Sequence, residues 1–165
     1  MKRASGVLLP VSSLPSKYGI GCFSKEAYKW IDQLKEAGQS YWQILPLAPT
    51  SYGDSPYQSF SSFAGNPYFI DLEQLIQEGV LTEEECSSAD FGDNPSYVEY
   101  GKIYENRFSL LRKAYERSNI TSVPEYHTFI QENAYWLDDY ALFMAVKGRF
   151  NGVSWDKWAE DIRKR

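Results

Sequence analysis

"YWQILPLAPTSYGDSPYQS", residues 41–59, joins two opposite kinds of sequence. Residues 41–47 are an apolar run held between Gly38 and the prolines at 46 and 49, the pattern of a short buried strand. From Thr50 through Tyr68 the chain sets Gly, Ser and Pro between aromatic rings and carries no Lys or Arg, so it reads as a long loop. A strand that ends in such a loop decides the fold class only together with what precedes it.

Upstream, Gly6-Val7-Leu8-Leu9 is a second apolar run, closed by Pro10 and followed by the loop "VSSLPSKYGIG". Ser24 then stands where a helix N-cap is wanted. Ala27, Trp30, Ile31, Leu34 and Ala37 fall on one face, Lys25, Lys29, Asp32 and Glu36 on the other, and Gly38 supplies the left-handed residue that ends the helix. The order strand, helix, strand predicts two parallel strands joined by a right-handed crossover.

Downstream the signals are all helical. Leu72, Leu75 and Ile76 are closed by Gly79, Thr82 and Glu85 form a capping box, and Tyr100, Ile103, Tyr104, Leu111 and Ala114 mark a helix over about 100–118. Pro124 opens another helix, and "AYWLDDYALFMAVKG" gives a last one ending at Gly148. One strand-helix-strand unit cannot cover both faces of its strands. Either the helices after residue 71 fold back into a small α/β domain, or the strands open a larger sheet.

The 165 residues are 43% hydrophobic and carry a formal charge of −5, a globular composition without the basic patch that a nucleic-acid partner requires. No apolar run reaches the ~20 residues of a membrane span and none fits a signal peptide, so a cytoplasmic protein with no membrane partner is expected. Cys22, Cys86 and the lone His127 have no metal-ligand spacing; the cysteines read as free thiols and the histidine as a surface residue. The adjacent Asp138 and Asp139 point in different directions on a helix and read as a solvated face.

The loop offers Tyr52, Tyr57, Phe60, Phe63 and Tyr68 as flat faces and Asp54, Ser55, Gln58 and Asn66 as hydrogen-bonding groups, beyond the carboxyl end of the second strand, where sites of α/β folds lie. Two readings fit. A sugar ring stacks on aromatics and needs neutral or anionic partners for its hydroxyls; equally, loop aromatics can plug a core beneath a long connection. Phe60 and Phe63, without polar atoms, read as structural, and Tyr100 and Tyr104, four apart on a helix, as packing. Asp54 has no second acid within ten residues, which excludes a glycosidase pair built inside the loop and leaves a turn or hydroxyl-binding role.

"GVLLPVSSLPSKYGIGCFS" (6–24), "AGQSYWQILPLAPTSYGDSPYQSFSSFAGNPYFIDL" (37–72) and "ENAYWLDDYALFMAVKG" (132–148) together resemble the N-terminal third of the 4-α-glucanotransferases, or amylomaltases, of the α-amylase clan. The resemblance implies an α/β fold that is the opening portion of a (β/α)8 TIM barrel: its first two parallel strands and first helix, with an inserted helical subdomain. Residues 1–70 would start the barrel and carry the substrate loop 50–68; residues 71–165 would be the mostly helical insertion. It implies transfer of α-1,4-glucan segments between maltooligosaccharides, with glucose as an acceptor, by retaining double displacement and without a cofactor. Tyr57 matches a tyrosine that stacks on the sugar to be transferred, and Ser55 a residue on the acceptor side of the cleft. Tyr52 and Tyr104 match a second glucan-holding patch, which lifts Tyr104 from the packing reading. The nucleophile and acid/base are expected beyond residue 165, so no catalytic residue is assigned here. The alternative is a non-catalytic glucan-binding or structural fragment, inactive on its own.

Overall fold

The computed structural model describes residues 3–51 and 53–164. The chain divides into two compact units, one through Ser118 and one from Asn119 onward.

In the first unit, strand β1 (Gly6–Leu8) pairs in parallel with β2 (Tyr41–Gln43), Val7 opposite Trp42. Leu9 N–H extends the ladder to Gln43 C=O at 3.0 Å, and the Trp42 indole donates to Leu9 C=O at 2.8 Å. β2 is shorter than the apolar run suggested because Pro10 has no N–H to offer and the chain leaves β1 in a 3-10 turn, Val11–Ser13. Among the described residues Ile44 and Leu45 have no ladder partner; Ile44 packs beside Val11, Leu14 and Ala27, and Leu45 lines a small hollow.

Helix α1 (Lys25–Glu36) crosses between the strands. The Ser24 hydroxyl accepts from Glu26 N–H at 3.2 Å, and Gly38 ends the helix at φ +70°, where a Cβ would be strained. Ala27 and Leu34 are buried, but Ile31 stays 47% exposed: the apolar stripe is wider than the two-stranded surface beneath it. A small cluster of Val11, Leu14 and Ala27, flanked by Leu9, Trp30, Trp42, Ile44, Leu47 and Phe69, packs there.

The main core lies elsewhere. Helices α2 (Leu72–Gln77), α3 (Glu83–Ser87) and α4 (Tyr100–Arg117) enclose Tyr18, Ile20, Tyr68, Leu72, Leu81, Cys86, Phe91, Ile103, Leu110 and Ala114. Gly21 permits the segment feeding this core to pass against the first turn, since a Cβ there would sit 2.2 Å from Val11 C=O. Both cysteines are buried and free, and burial pushes the Cys22 thiol up to about 11. Arg107 takes a place in the buried stripe of α4 between Ile103 and Leu110, donates from Nη2 to Ile70 C=O, and leaves Nε and Nη1 without hydrogen-bond partners among the described residues; the sequence pattern gives no sign of it.

Ion pairs fasten the helix ends. Lys25 Nζ reaches Glu73 at 2.7 Å, tying the start of α1 to the start of α2. Glu85, the third residue of α3, accepts from Thr82 N–H at 3.1 Å and from both terminal nitrogens of Arg117 on α4 at 2.7 and 2.8 Å.

The second unit contains α5 (Pro124–Glu132), α6 (Leu137–Arg149) and α7 (Glu160–Arg163). Trp158 is its organiser: it stacks on Phe150 at 5.7 Å, tilts against Phe143 at 5.5 Å, and donates its indole N–H to Val153 C=O at 3.1 Å. None of its described residues is buried, and Tyr135 and Leu142 are 71% and 65% exposed. His127 is exposed, its Nε2 2.8 Å from Thr121 C=O, and Asp138 and Asp139 are exposed as well.

The Arg117 hydrogen bonds, then the Thr82 N–H, hold the Glu85 carboxyl down at about 2, against an ordinary value of 4.5. A depressed carboxylate contributes stability above its unfolded value and loses it as pH falls through the folded one. Glu85→Gln, which keeps the capping geometry, is therefore expected to lower the thermal midpoint at pH 7, with the gap to wild type closing between about 4.5 and about 2. Thermal unfolding of both proteins across that range measures it.

Candidate functional site

The loop after β2 is closed at its neck. Asn66 N–H donates to Leu47 C=O at 2.8 Å, so residues 48–65 leave and return at one point, as in a compact surface loop. An antiparallel bridge between Thr50 and Ser59 pinches it again. Inside the pinch, Ser51 Oγ donates to Gln58 C=O at 3.0 Å, and Asp54 N–H and Gln58 N–H donate to Ser51 and Ser55 C=O, each at 3.1 Å. Gly53 and Asp54 are both left-handed, at φ +100° and +57°. On the return limb, Ser61 Oγ accepts from Phe63 and Ala64 N–H at 3.2 and 3.0 Å. The hydroxyls of Ser51, Ser55, Ser59 and Ser61 thus hold the loop's own backbone, and its described rings face outward or inward as packing decides.

Two hollows adjoin this loop and share Pro46, Leu47 and Pro56 as a wall. The larger is a shallow groove of about 570 Å³ edged by Tyr57, Phe63 and the serines at 59, 61 and 62. That volume falls within the roughly 300–1,000 Å³ typical of small-ligand sites. The smaller, about 100 Å³, is more enclosed and is lined by Ser12, Thr50, Asp54, Asn66, Phe69 and Tyr100 among others. Both lie just past the carboxyl ends of the two strands.

Tyr57 is 73% exposed on the groove, its N–H 3.4 Å from Ser55 Oγ. Ser55 is half-buried in the same turn and forms part of neither wall. Tyr104 lies on α4, 59% exposed, edge-on to Phe108 at 5.7 Å, and lines neither hollow. Tyr52 lies outside the described residues. The structure therefore brings Tyr57 and Ser55 together and leaves Tyr104 on a separate surface of the first unit.

Three other loop residues, Tyr68, Asn66 and Phe63, take roles different from the sequence reading. Tyr68 is no open face: it is buried against Phe108 and Tyr100, and burial, then the neighbouring Asp54 charge, pushes its phenol up to about 12. Asn66 is buried and spends its Oδ1 on Tyr68 N–H at 3.0 Å. Phe63, read as structural, is 59% exposed on the groove. Asp54 is half-buried in the small pocket, and burial raises its carboxyl above the usual range.

Ser12 and Tyr100 in the pocket were not singled out as site residues from the sequence. The available signal was position: Ser12 follows the first strand as the tyrosine loop follows the second. Among the described residues no group of three His, Cys, Asp or Glu could hold a metal ion, and no helix is long and apolar enough to cross a membrane.

The fold and the hollows define an α/β chain with a neutral, aromatic-edged groove at the carboxyl end of parallel strands. A family model described as 4-alpha-glucanotransferase matches residues 9–165, and the chain belongs to that family. A 4-alpha-glucanotransferase of Clostridium butyricum is 52% identical over 155 residues, covering 94% of this chain and 32% of the relative. One from Thermus thermophilus is 46% identical over 169 residues, covering all of this chain and 33% of the relative. A solved structure of amylomaltase from Streptococcus agalactiae in complex with acarbose superposes with a TM-score of 0.88 at 42% identity, over 96% of this chain and 32% of that one. The chain spans about a third of the length of the relatives it matches.

Removing the Ser61 hydroxyl strands two loop N–H groups. Ser61→Ala is expected to cost about 1 kcal/mol. Amide hydrogen exchange at Phe63 and Ala64 checks it, and both are expected to exchange faster than in wild type.

Proposed function

We propose that this chain is the N-terminal part of a 4-α-glucanotransferase that moves α-1,4-glucan segments between maltooligosaccharides, with glucose as an acceptor. On this reading β1, α1 and β2 open a (β/α)8 barrel over residues 1–70, and residues 71–165 form a mostly helical insertion. The chemistry is a retaining double displacement needing no cofactor, with an Asp nucleophile, a Glu acid/base and a stabilising Asp supplied by the rest of the parent polypeptide. The enzyme works in the cytoplasm.

The groove supports this assignment through one feature above the others: Tyr57 stands 73% exposed over a hollow with no Lys or Arg in its walls. A glucosyl ring offers C–H faces to such a ring and hydroxyls to its neutral surroundings. Tyr57 stacks on the unit to be transferred, and Ser55, beside it, lies toward the acceptor. Tyr104 on α4 belongs to a second glucan patch, a role the family resemblance also gives Tyr52.

A second reading has its own support, because the groove walls come wholly from residues 46–65. A module with so local a surface can retain glucan without any chemistry.

The parent polypeptide is expected to release glucose from maltotriose. Loss of a stacking ring costs about 1–3 kcal/mol, so Tyr57→Ala is expected to lower kcat/KM roughly 5- to 150-fold. A parent that releases no glucose overturns the transferase reading. If it releases none yet is retained on an amylose column, and Tyr57→Ala abolishes that retention, the binding-module reading replaces it.

A further inference from the structure

We propose that Asp54 is a specificity-determining residue of the groove: its carboxylate accepts a hydrogen bond from the hydroxymethyl arm of the glucosyl unit seated on Tyr57. This rests on the glucan reading above and extends it to a residue, and to a hydroxyl, that the stacking argument leaves unassigned.

The inference starts from an unmet carboxylate. Asp54 is half-buried, lines the small pocket, and has no hydrogen bond or ion pair to its side chain among the described residues. No Lys or Arg occurs anywhere between Lys35 and Lys102 in the sequence. An ionised carboxylate is an acceptor only, and one withdrawn from water without donors is a cost that calls for a partner. It shares the lining of the small pocket with Asn66, Phe69 and Tyr100, and its charge helps raise the phenols of Tyr68 and Tyr100.

Backbone geometry holds it there. Gly53 and Asp54 are left-handed in succession, at φ +100° and +57°, inside the bridge between Thr50 and Ser59. A left-handed aspartate is uncommon and marks a turn held by its surroundings.

The chemistry of the partner follows from size and charge. A cation would need further acidic ligands, and no group of three His, Cys, Asp or Glu gathers among the described residues. The pocket, about 100 Å³, lies below the range that holds a whole small ligand, while the groove across the shared Pro46, Leu47 and Pro56 wall is about 570 Å³. A ring in the groove can send one short polar substituent over that wall. The exocyclic hydroxymethyl group is the substituent of a glucosyl unit that projects furthest and carries the required O–H.

The test is equilibrium binding by the parent polypeptide of maltotriose and of its analogue with each hydroxymethyl replaced by methyl, with glucose release from maltotriose measured in parallel. Asp54→Gly and Asp54→Asn both accept a left-handed backbone, and circular dichroism checks that each folds. Wild type is expected to bind maltotriose roughly 10- to 150-fold tighter than the analogue. Asp54→Gly should bind both sugars alike, at the level of wild type with the analogue, and Asp54→Asn should fall between. If Asp54→Gly keeps the wild-type ratio, whatever its absolute affinity, the proposal is overturned while the transferase reading stands. If glucose is not released but the ratio collapses in Asp54→Gly, the acceptor role stands and the transferase reading falls. Binding of neither sugar by wild type overturns both.

Discussion

Asn66 is the joint on which the functional end of the molecule depends. Its N–H closes the loop neck on Leu47 C=O at 2.8 Å, and its buried Oδ1 caps the turn that carries Tyr68 into the core. One residue thus sets both where the tyrosine loop ends and where the helical core begins. Trading its side chain for an apolar one would strand the Tyr68 N–H inside the protein, while the backbone bond at the neck would remain.

The interior of the loop obeys the same economy. Serines at 51, 55, 59 and 61 spend their hydroxyls on nearby backbone groups, a habit that favours turns over helix or strand. With the polar backbone served locally, Tyr57 and Phe63 can stand in the groove while Tyr68 goes inside. Asp54 is the one acidic residue of the loop, and its side chain has no such employment among the described residues. Phenols below it titrate high because burial and that nearby negative charge both disfavour a second anion.

The sheet end is built on different terms. Among the described residues β1 and β2 pair only with each other, Leu8 and Tyr41 are 54% and 66% exposed, and the packing against α1 is thin. Parallel strands are ordinarily covered on both faces. The second unit repeats the theme, with a rank of aromatic rings and no buried residue among those described. On the proposed reading these are surfaces for the remaining two-thirds of the parent polypeptide. The α2–α4 core, by contrast, is closed around Ile103 and Cys86 with no exposure at either.

Much of this was legible in the chain itself, because it rests on contacts between near neighbours. The Ser24 cap, Gly38 at the end of α1, the Thr82–Glu85 capping box and Pro124 opening α5 are local events, set by which backbone groups a residue can serve or deny; the parallel pairing of β1 and β2 is long-range but followed from the strand-helix-strand order. The loop's position past β2 followed from the same strand-helix-strand order. Contacts across dozens of residues were not legible: Tyr68 buried rather than displayed, Arg107 holding Ile70, Ser12 and Tyr100 meeting Asp54 in one pocket. No periodicity records such meetings. Sequence alone determined which stretches could be strand, helix or loop and that the loop was aromatic and free of cations; tertiary packing decided which of its described rings reach solvent and that Asp54 meets no donor among the described residues, since exposure depends on what the rest of the chain brings alongside.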